Sequence, residues 1–214
     1  MKVWRRQFIS LSMAAVSVAS VGLISRARKA SAQGAAVGRM SRVAGEVSIQ
    51  RGASTLSGAV DAPVEVTDRI RTGADSRAEI TFSDNSVMTV GPDSEVAIAS
   101  FAPAAEESNA VLDLLSGIVR VTVNAATDWG RFEVRTATAV ASVRGTDYLV
   151  ELTEKGSAVF VAEGRVAVSS RVGAGSVVIR EGQGVDVSAE YTPPVVKTWG
   201  AKRRDAALAR VTFP

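Results

Sequence analysis

The stretch that most restricts the fold is Phe132 to Leu152, FEVRTATAVASVRGTDYLVEL, the longest run that cannot be read as surface. Val134, Val140, Val143, Tyr148, Leu149 and Val150 are β-branched, aromatic or aliphatic, a composition that favours buried strands over a helix. Arg144-Gly145-Thr146 interrupts the run between its two strand-like halves. A glycine there has no Cβ and permits a bulge, a corner or the close approach of another backbone. The segment is predicted to be the pivot of an all-β core.

The rest of the chain repeats the pattern. Runs rich in Val, Ile, Thr and Phe begin at Ala44–Gln50, Val64–Ile70, Arg77–Phe82, Ser86–Val90 and Ser94–Ala99. They continue through Ala110–Leu115, Ile118–Val123, Arg131–Thr136, Ala139–Val143 and Thr146–Leu152, and end with Ser157–Ala162, Arg165–Ser169, Ser176–Arg180 and Val185–Ser188. Turn signals separate them, among them Arg71-Thr72-Gly73, Ser83-Asp84-Asn85, Ser116-Gly117 and Glu163-Gly164. A strand and turn in roughly every 8 to 12 residues predicts a sandwich, roll or solenoid, not alternating βα units. Ala158 to Ala162 is apolar on both faces and needs a layer on each side, so at least two stacked sheets are expected. Glu163-Gly164 and Glu181-Gly182 are each followed by alternating valines. They fit either two rungs of a coiled β structure or two ordinary hairpin turns.

The first 32 residues have the parts of an export signal. A moderately apolar run, Phe8 to Ile24, follows Arg5-Arg6 and leads to Ala30-Ser31-Ala32, an A-x-A cleavage pattern at Ala30 and Ala32. Arg5, Arg6 and Phe8 resemble a twin-arginine signal in R-R-x-F order, with Trp4 where Ser or Thr is usual and Ser10 where Lys is frequent. A general secretory signal and an uncleaved anchor are the alternatives, although Ser10, Ser12, Ser17 and Ser20 make the run a poor permanent span. The expectation is a periodic β domain in the periplasm or outside the cell, with no membrane span after cleavage.

Removing that segment reverses the charge. Of the 25 basic residues six lie within it and no acid does, so 19 basic residues face 22 acidic ones and the remainder carries −3. With no basic run longer than Lys202-Arg203-Arg204, nucleic acid is not expected as a partner. No cysteine occurs, so burial and strand ladders must supply stability.

Val66 to Ile98, VTDRIRTGADSRAEITFSDNSVMTVGPDSEVAI, then LSGIVRVTV at Leu115 to Val123, Phe132 to Val150 and Val159 to Val168 together resemble the FecR domain. The resemblance is carried in order by Thr72-Gly73, Asp84, Gly117, the Arg144-Gly145-Thr146 triplet and Gly164. Asp68-Arg69 stands where G-D is usual, Asn85 where Gly is usual and Ala137 where Pro often follows the threonine. The resemblance implies an all-β, solenoid-like or stacked-sheet domain of many short strands over 44–190, after a linker at 33–43. The best-known members join such a domain to a cytoplasmic segment that holds a sigma factor. With only seven residues before its apolar run, this chain is expected to resemble the stand-alone exported form, with no sigma factor as partner.

Catalytic chemistry is restricted by composition. Without histidine or cysteine there is no imidazole base, triad, thiolate or ordinary zinc site. Asp61, Glu65, Asp75, Glu79 and Asp84 could supply a carboxylate pair for a glycosidase or lyase, but read as turn or strand-surface residues. No catalytic, cofactor-binding or metal residue is expected. Ser83 to Ser86 reads as a hairpin turn more than a calcium loop, and Arg144 as a residue paired with a carboxylate or carbonyls more than a ligand-binding one. Ala99 to Ala110 reads as a solvated loop and, with Ser83 to Ser86, as the place for contacts. Past Thr192-Pro193-Pro194, 191–214 is expected to form a Pro-rich segment and a short basic helix strapped on the β domain. The function expected is non-catalytic binding of an envelope protein or glycan, in signal sensing or envelope organisation. A polysaccharide-associated structural role is the alternative.

Overall fold

The computed structural model describes residues 34–173, 175–190 and 192–213, so Arg5, Arg6, Phe8, Ala30 and Ala32 lie outside the described residues. The chain forms β1 (Ala36–Ala44), β2 (Val47–Arg51), β3 (Ser54–Ser57), β4 (Pro63–Glu65), β5 (Arg69–Thr72) and β6 (Arg77–Phe82). Next come β7 (Val87–Val90), β8 (Glu95–Ala102), β9 (Asn109–Thr122), β10 (Arg131–Arg135), β11 (Ala139–Val143) and β12 (Asp147–Thr153). The last are β13 (Gly156–Glu163), β14 (Arg165–Ser170), β15 (Ser176–Arg180), β16 (Gln183–Ser188), β17 (Val195–Thr198) and the helix α1 (Ala201–Arg210).

The pairings give two open sheets. Sheet A runs β4, β1, β6, β7, the second half of β9, β12, β13, β16 and β17. Sheet B runs β3, β2, β5, β8, the first half of β9, β10, β11, β14 and β15. Neighbours are antiparallel except β9 and β10. Inward residues of both sheets, such as Met40, Ile80, Val121 and Val159 from A and Ile49, Ile98, Leu112 and Val166 from B, share one buried core. The expected stacked-sheet all-β class is what the chain forms, as an open structure and not a closed barrel.

The sheets are joined through β9, which the sequence reading divides at Ser116-Gly117. Instead one strand bends there, leaving β8 at Ser116 and joining β12 at Gly117. Gly117 has φ +79°, and a Cβ on it would stand 2.1 Å from Ser94 Oγ and 2.7 Å from Ser94 Cα. Only a residue without a side chain fits that corner. The Glu163-Gly164 and Glu181-Gly182 turns are not hairpins: each carries the chain between sheets, from β13 to β14 and from β15 to β16. The coiled reading of the repeat is the one observed.

Three other expectations need correction. The linker at 33–43 is largely strand, because β1 finds partners on both sides, β4 and β6. The single run Val64–Ile70 is two strands in different sheets. Thr67 turns at φ +74° and Asp68 folds inward, accepting bonds from the Glu65 amide at 2.8 Å and from the fork of Arg51 at 2.8 and 2.7 Å. In the C-terminal segment, β17 follows the two prolines as an edge strand on β16, ahead of the expected helix.

Helix α1 explains the doubly apolar β13. Val159 and Val161 enter the shared core, while Ala158 and Phe160, with Ile118 and Leu149, form a second cluster with Trp199, Ala207 and Val211. Trp199 stacks on Phe160 at 5.0 Å, a burial that stabilises by about 2 kcal/mol per large side chain. Arg203 lies over the Trp199 ring at 3.8 Å and forks onto Asp186. Arg77 donates to the carbonyl of Arg210 at 2.9 Å, a cation at the helix C-terminus.

Three outcomes follow from this geometry. Gly117→Ala is expected to lower unfolding stability by about 2 kcal/mol or more. Gly182→Ala, at φ +75° with open space around it, should cost only about 1 kcal/mol in the same denaturant titration. The hydrogen bonds and charge of Arg203 hold the Asp186 carboxyl below its ordinary value of 3.8. Its contribution is complete above that value and is lost as pH falls through the lower folded-state value. Both groups are nearly half exposed, so the acid loss should stay under about 1 kcal/mol and vanish in Asp186→Asn, read from Trp199 fluorescence.

Candidate functional site

The interval read as a loop at Ala99–Ala110 is shorter than expected, because β8 continues to Ala102 and β9 starts at Asn109. Phe101 keeps β8 in register by burying its ring between Phe82 at 4.6 Å and Trp129 at 5.3 Å. Trp129 in turn meets Phe132 edge-on at 5.3 Å. The remaining loop, 103–108, is fastened by Ser108. Its Oγ donates to the Asp128 carbonyl at 2.7 Å and accepts the Gly130 amide at 2.9 Å, and its carbonyl accepts the Arg131 amide at 3.0 Å.

Asp84 closes the base of this arrangement. Its carboxylate accepts the Ser86 amide at 2.9 Å, the Ser86 hydroxyl at 2.6 Å and the Trp129 indole N–H at 3.1 Å. The Asn124 side chain donates to its carbonyl at 2.6 Å. Ser83 to Ser86 is therefore a turn with its acid turned inward, leaving Ser83 and Asn85 exposed, and Asn85 adopts φ +66° as a tight turn requires. The turn and the loop, distant in sequence, meet through Trp129, which is 1% exposed. The sequence reading passed over Trp129. Its signal was a lone large aromatic in an otherwise polar connection, Thr127 to Gly130.

Above this base lies a cleft of about 450 Å³ lined by Glu106, Glu107, Asp128, Asn109, Arg131 and Arg144. Arg144 is not paired as expected: among the described residues neither it nor Arg131 has an ion-pair or side-chain hydrogen-bond partner. A groove on the outer face of sheet B continues from the cleft, sharing Gly130, Arg131 and Arg144 with it and reaching Arg165, Ala167 and Val178.

The other motif residues serve the corners. Thr72 Oγ1 donates to the Gly91 carbonyl at 2.6 Å, and the Gly73 amide donates to Glu46 at 3.0 Å. Thr146 Oγ1 donates to the Arg165 carbonyl at 3.0 Å and sits 3.1 Å from where a Cβ on Gly164 would be. Gly145 turns at φ +52° against Ala125. The acids weighed for catalysis have separate engagements: Asp61 with Arg39, Glu65 with Arg51, Glu79 with Ser41 and Asp84 with Trp129, while Asp75 turns at φ +54°. Among the described residues no three acids are placed to hold a metal ion. Burial pushes the Tyr148 hydroxyl far above its ordinary value, with a smaller contribution from Glu133, so it stays neutral.

Asp84→Ala should lower stability by about 2 kcal/mol or more, because three buried donors lose their acceptor. Asp84→Asn keeps one acceptor oxygen and should recover part of the loss. Trp129 fluorescence during unfolding checks both.

Residues 68–167 match the family model described as FecR protein. No curated protein matches the sequence. Two crystal structures of a candidate anti-sigma factor from Parabacteroides distasonis, at 1.65 and 2.50 Å resolution, are similar with a TM-score of 0.55 and 18% identity. The alignments cover 65% of this chain and 64% and 63% of theirs, so the chain spans a little under two thirds of those structures. At that identity the likeness is one of fold.

Proposed function

With residues 68–167 assigned to the FecR family, we propose that the chain is a non-catalytic exported module that binds another component of the cell envelope in signal sensing or regulation. The observation that carries the reading is the cleft where loop 103–108 is fastened against 128–131, with the guanidinium groups of Arg131 and Arg144 lacking partners among the described residues. A rigid frame presenting unpaired donors suits recognition. The likeness in fold to a candidate anti-sigma factor supports a regulatory setting, and the component bound is a protein or a glycan. A non-catalytic role is supported by the lack of histidine and cysteine and by the structural engagement of the acids. Export rests on Arg5, Arg6 and Phe8 with the Ala30 and Ala32 pattern, and would put the cleft in the periplasm or outside the cell.

A photo-crosslinking residue at the exposed position of Glu107, in cells that make the full chain, tests this. A discrete adduct with one envelope component is expected, weakened by Arg131→Glu and absent when Arg5 and Arg6 are both Lys, which strands the precursor. An adduct pattern unchanged by Arg131→Glu would remove the cleft from the function. Degradation of an envelope polymer by the purified protein, abolished by one Asp or Glu substitution, would overturn the non-catalytic reading.

A further inference from the structure

The arginines of sheet B fall into two groups. Arg69 and Arg71 pair with Glu95, and Arg135 pairs with Glu133. Arg51 of β2 also has an acid, and outside sheet B so do Arg39, Arg120, Arg203, Arg204 and Arg210. Arg77 and Arg171 donate to carbonyls, and Arg42 lies over the Phe213 ring at 4.2 Å. The arginines whose side chains have no partner among the described residues are Arg131, Arg144, Arg165 and Arg180.

Register brings these four together. Phe132 is opposite Val143, Val143 is opposite Val166, and Arg165 is directly opposite Arg180. One step outward from the valines lie Arg131, Arg165 and Arg180 at the ends of β10, β14 and β15, with Arg144 in the bend that directly follows β11. Their inward neighbours Phe132, Val166 and Ile179 are buried, which puts Arg131, Arg165 and Arg180 on the exposed outer face, and the exposed Arg144 lines the same groove as Arg131 and Arg165. Like charges on adjacent strands oppose sheet formation, and an acid in the row would relieve the repulsion as it does at Arg135. Glu133, which lines the same groove, is already bound to Arg135 at 2.7 Å. Glu106, Glu107 and Asp128 line the cleft with Arg131 and Arg144, while Arg165 and Arg180 lie outside it.

We propose that this row is the binding strip for a linear acidic polysaccharide with a carboxylate on each sugar. The proposal rests on the reading of the chain as a binding module and names the component bound. Adjacent strands are about 4.8 Å apart, so the backbone positions of the row recur at about the length of one sugar ring over about 14 Å, within reach of successive carboxylates for the arginine side chains. A guanidinium takes a carboxylate through two parallel hydrogen bonds, which a lysine cannot reproduce. The groove beside the row, about 490 Å³ and floored in part by Ala167 and Val178, offers an apolar surface to the ring faces. A flexible acidic peptide or a fluid lipid headgroup layer has no matching fixed repeat.

The test is binding of polygalacturonate to the purified full chain. Binding is expected, weakening with salt and absent for the fully methyl-esterified polymer, which keeps the rings and loses the charges. Arg165→Gln with Arg180→Gln should weaken it about tenfold or more at an unchanged melting midpoint, and the corresponding Lys pair should retain an intermediate affinity. Equal binding of the Gln pair, equal binding of the esterified polymer, or tighter binding to polyglutamate or to phosphatidylglycerol vesicles would overturn the proposal. An envelope-protein adduct at Glu107 that persists in the Gln pair, without polygalacturonate binding by the unchanged chain, would overturn the proposal and leave the binding-module reading standing.

Discussion

A chain that passes repeatedly between two stacked sheets must turn sharply at each passage, and neighbouring turns must pack on one another. That constraint governs the corner sequences. Gly117 approaches Ser94 so closely that no side chain fits, while Ser94 Oγ accepts the Ile118 amide at 2.9 Å. On the other side Thr146, next to Gly145, ties its corner to the carbonyl of Arg165. Close approach and a small hydroxyl together satisfy backbone groups that a buried corner would otherwise leave without partners. The arginine row depends on these joints, since Arg144 precedes Gly145, Arg165 follows Gly164 and Arg180 precedes Glu181-Gly182. The corners thus set the backbone positions from which the charges project.

The two outer faces have different fates. In sheet A the face bearing Leu149 and Phe160 is covered by Trp199, Ala207 and Val211, and the covering segment is held by Arg203, Arg210 and Arg77. In sheet B the second half presents Glu133, Ser142, Arg165 and Ala167 without such a cover among the described residues. One outer face is therefore buried in a second apolar cluster, while the other stays exposed among the described residues.

Much of the fold could be read from local pattern. The β6, β11 and β15 boundaries coincide with runs of β-branched residues ended by turn signals, and the doubly apolar Ala158–Ala162 announced layers on both sides. What local pattern missed depended on partners distant in sequence. β1, with Gly38, Arg39, Ser41 and Arg42, looks like a linker until β4 and β6 flank it. Thr67 and Asp68 break an apolar run because Arg51 waits for the carboxylate. The site divided the same way: loop and turn were visible as loop and turn, whereas their union through Trp129 and Asp84 required the tertiary structure. Arg131, Arg165 and Arg180 stood at the ends of recognisable strands, but only the pairing order makes them neighbours.

Among the described residues the stacked sheets remain open, and each has two edges. Sheet B ends in β3 and β15, sheet A in β4 and β17, and these strands are only three to five residues long. β3 is wholly exposed and mostly serine and threonine, β4 begins with a proline, and β17 follows two prolines and contains Lys197. Short edges with proline and lysine give an incoming strand little backbone on which to start a ladder. Self-propagation from the edges at β3, β4 and β17 is discouraged, while β15, with Val177 and Val178 and neither proline nor lysine, is the edge left without that protection. Among the described residues an incoming strand finds its least guarded ladder beside β15.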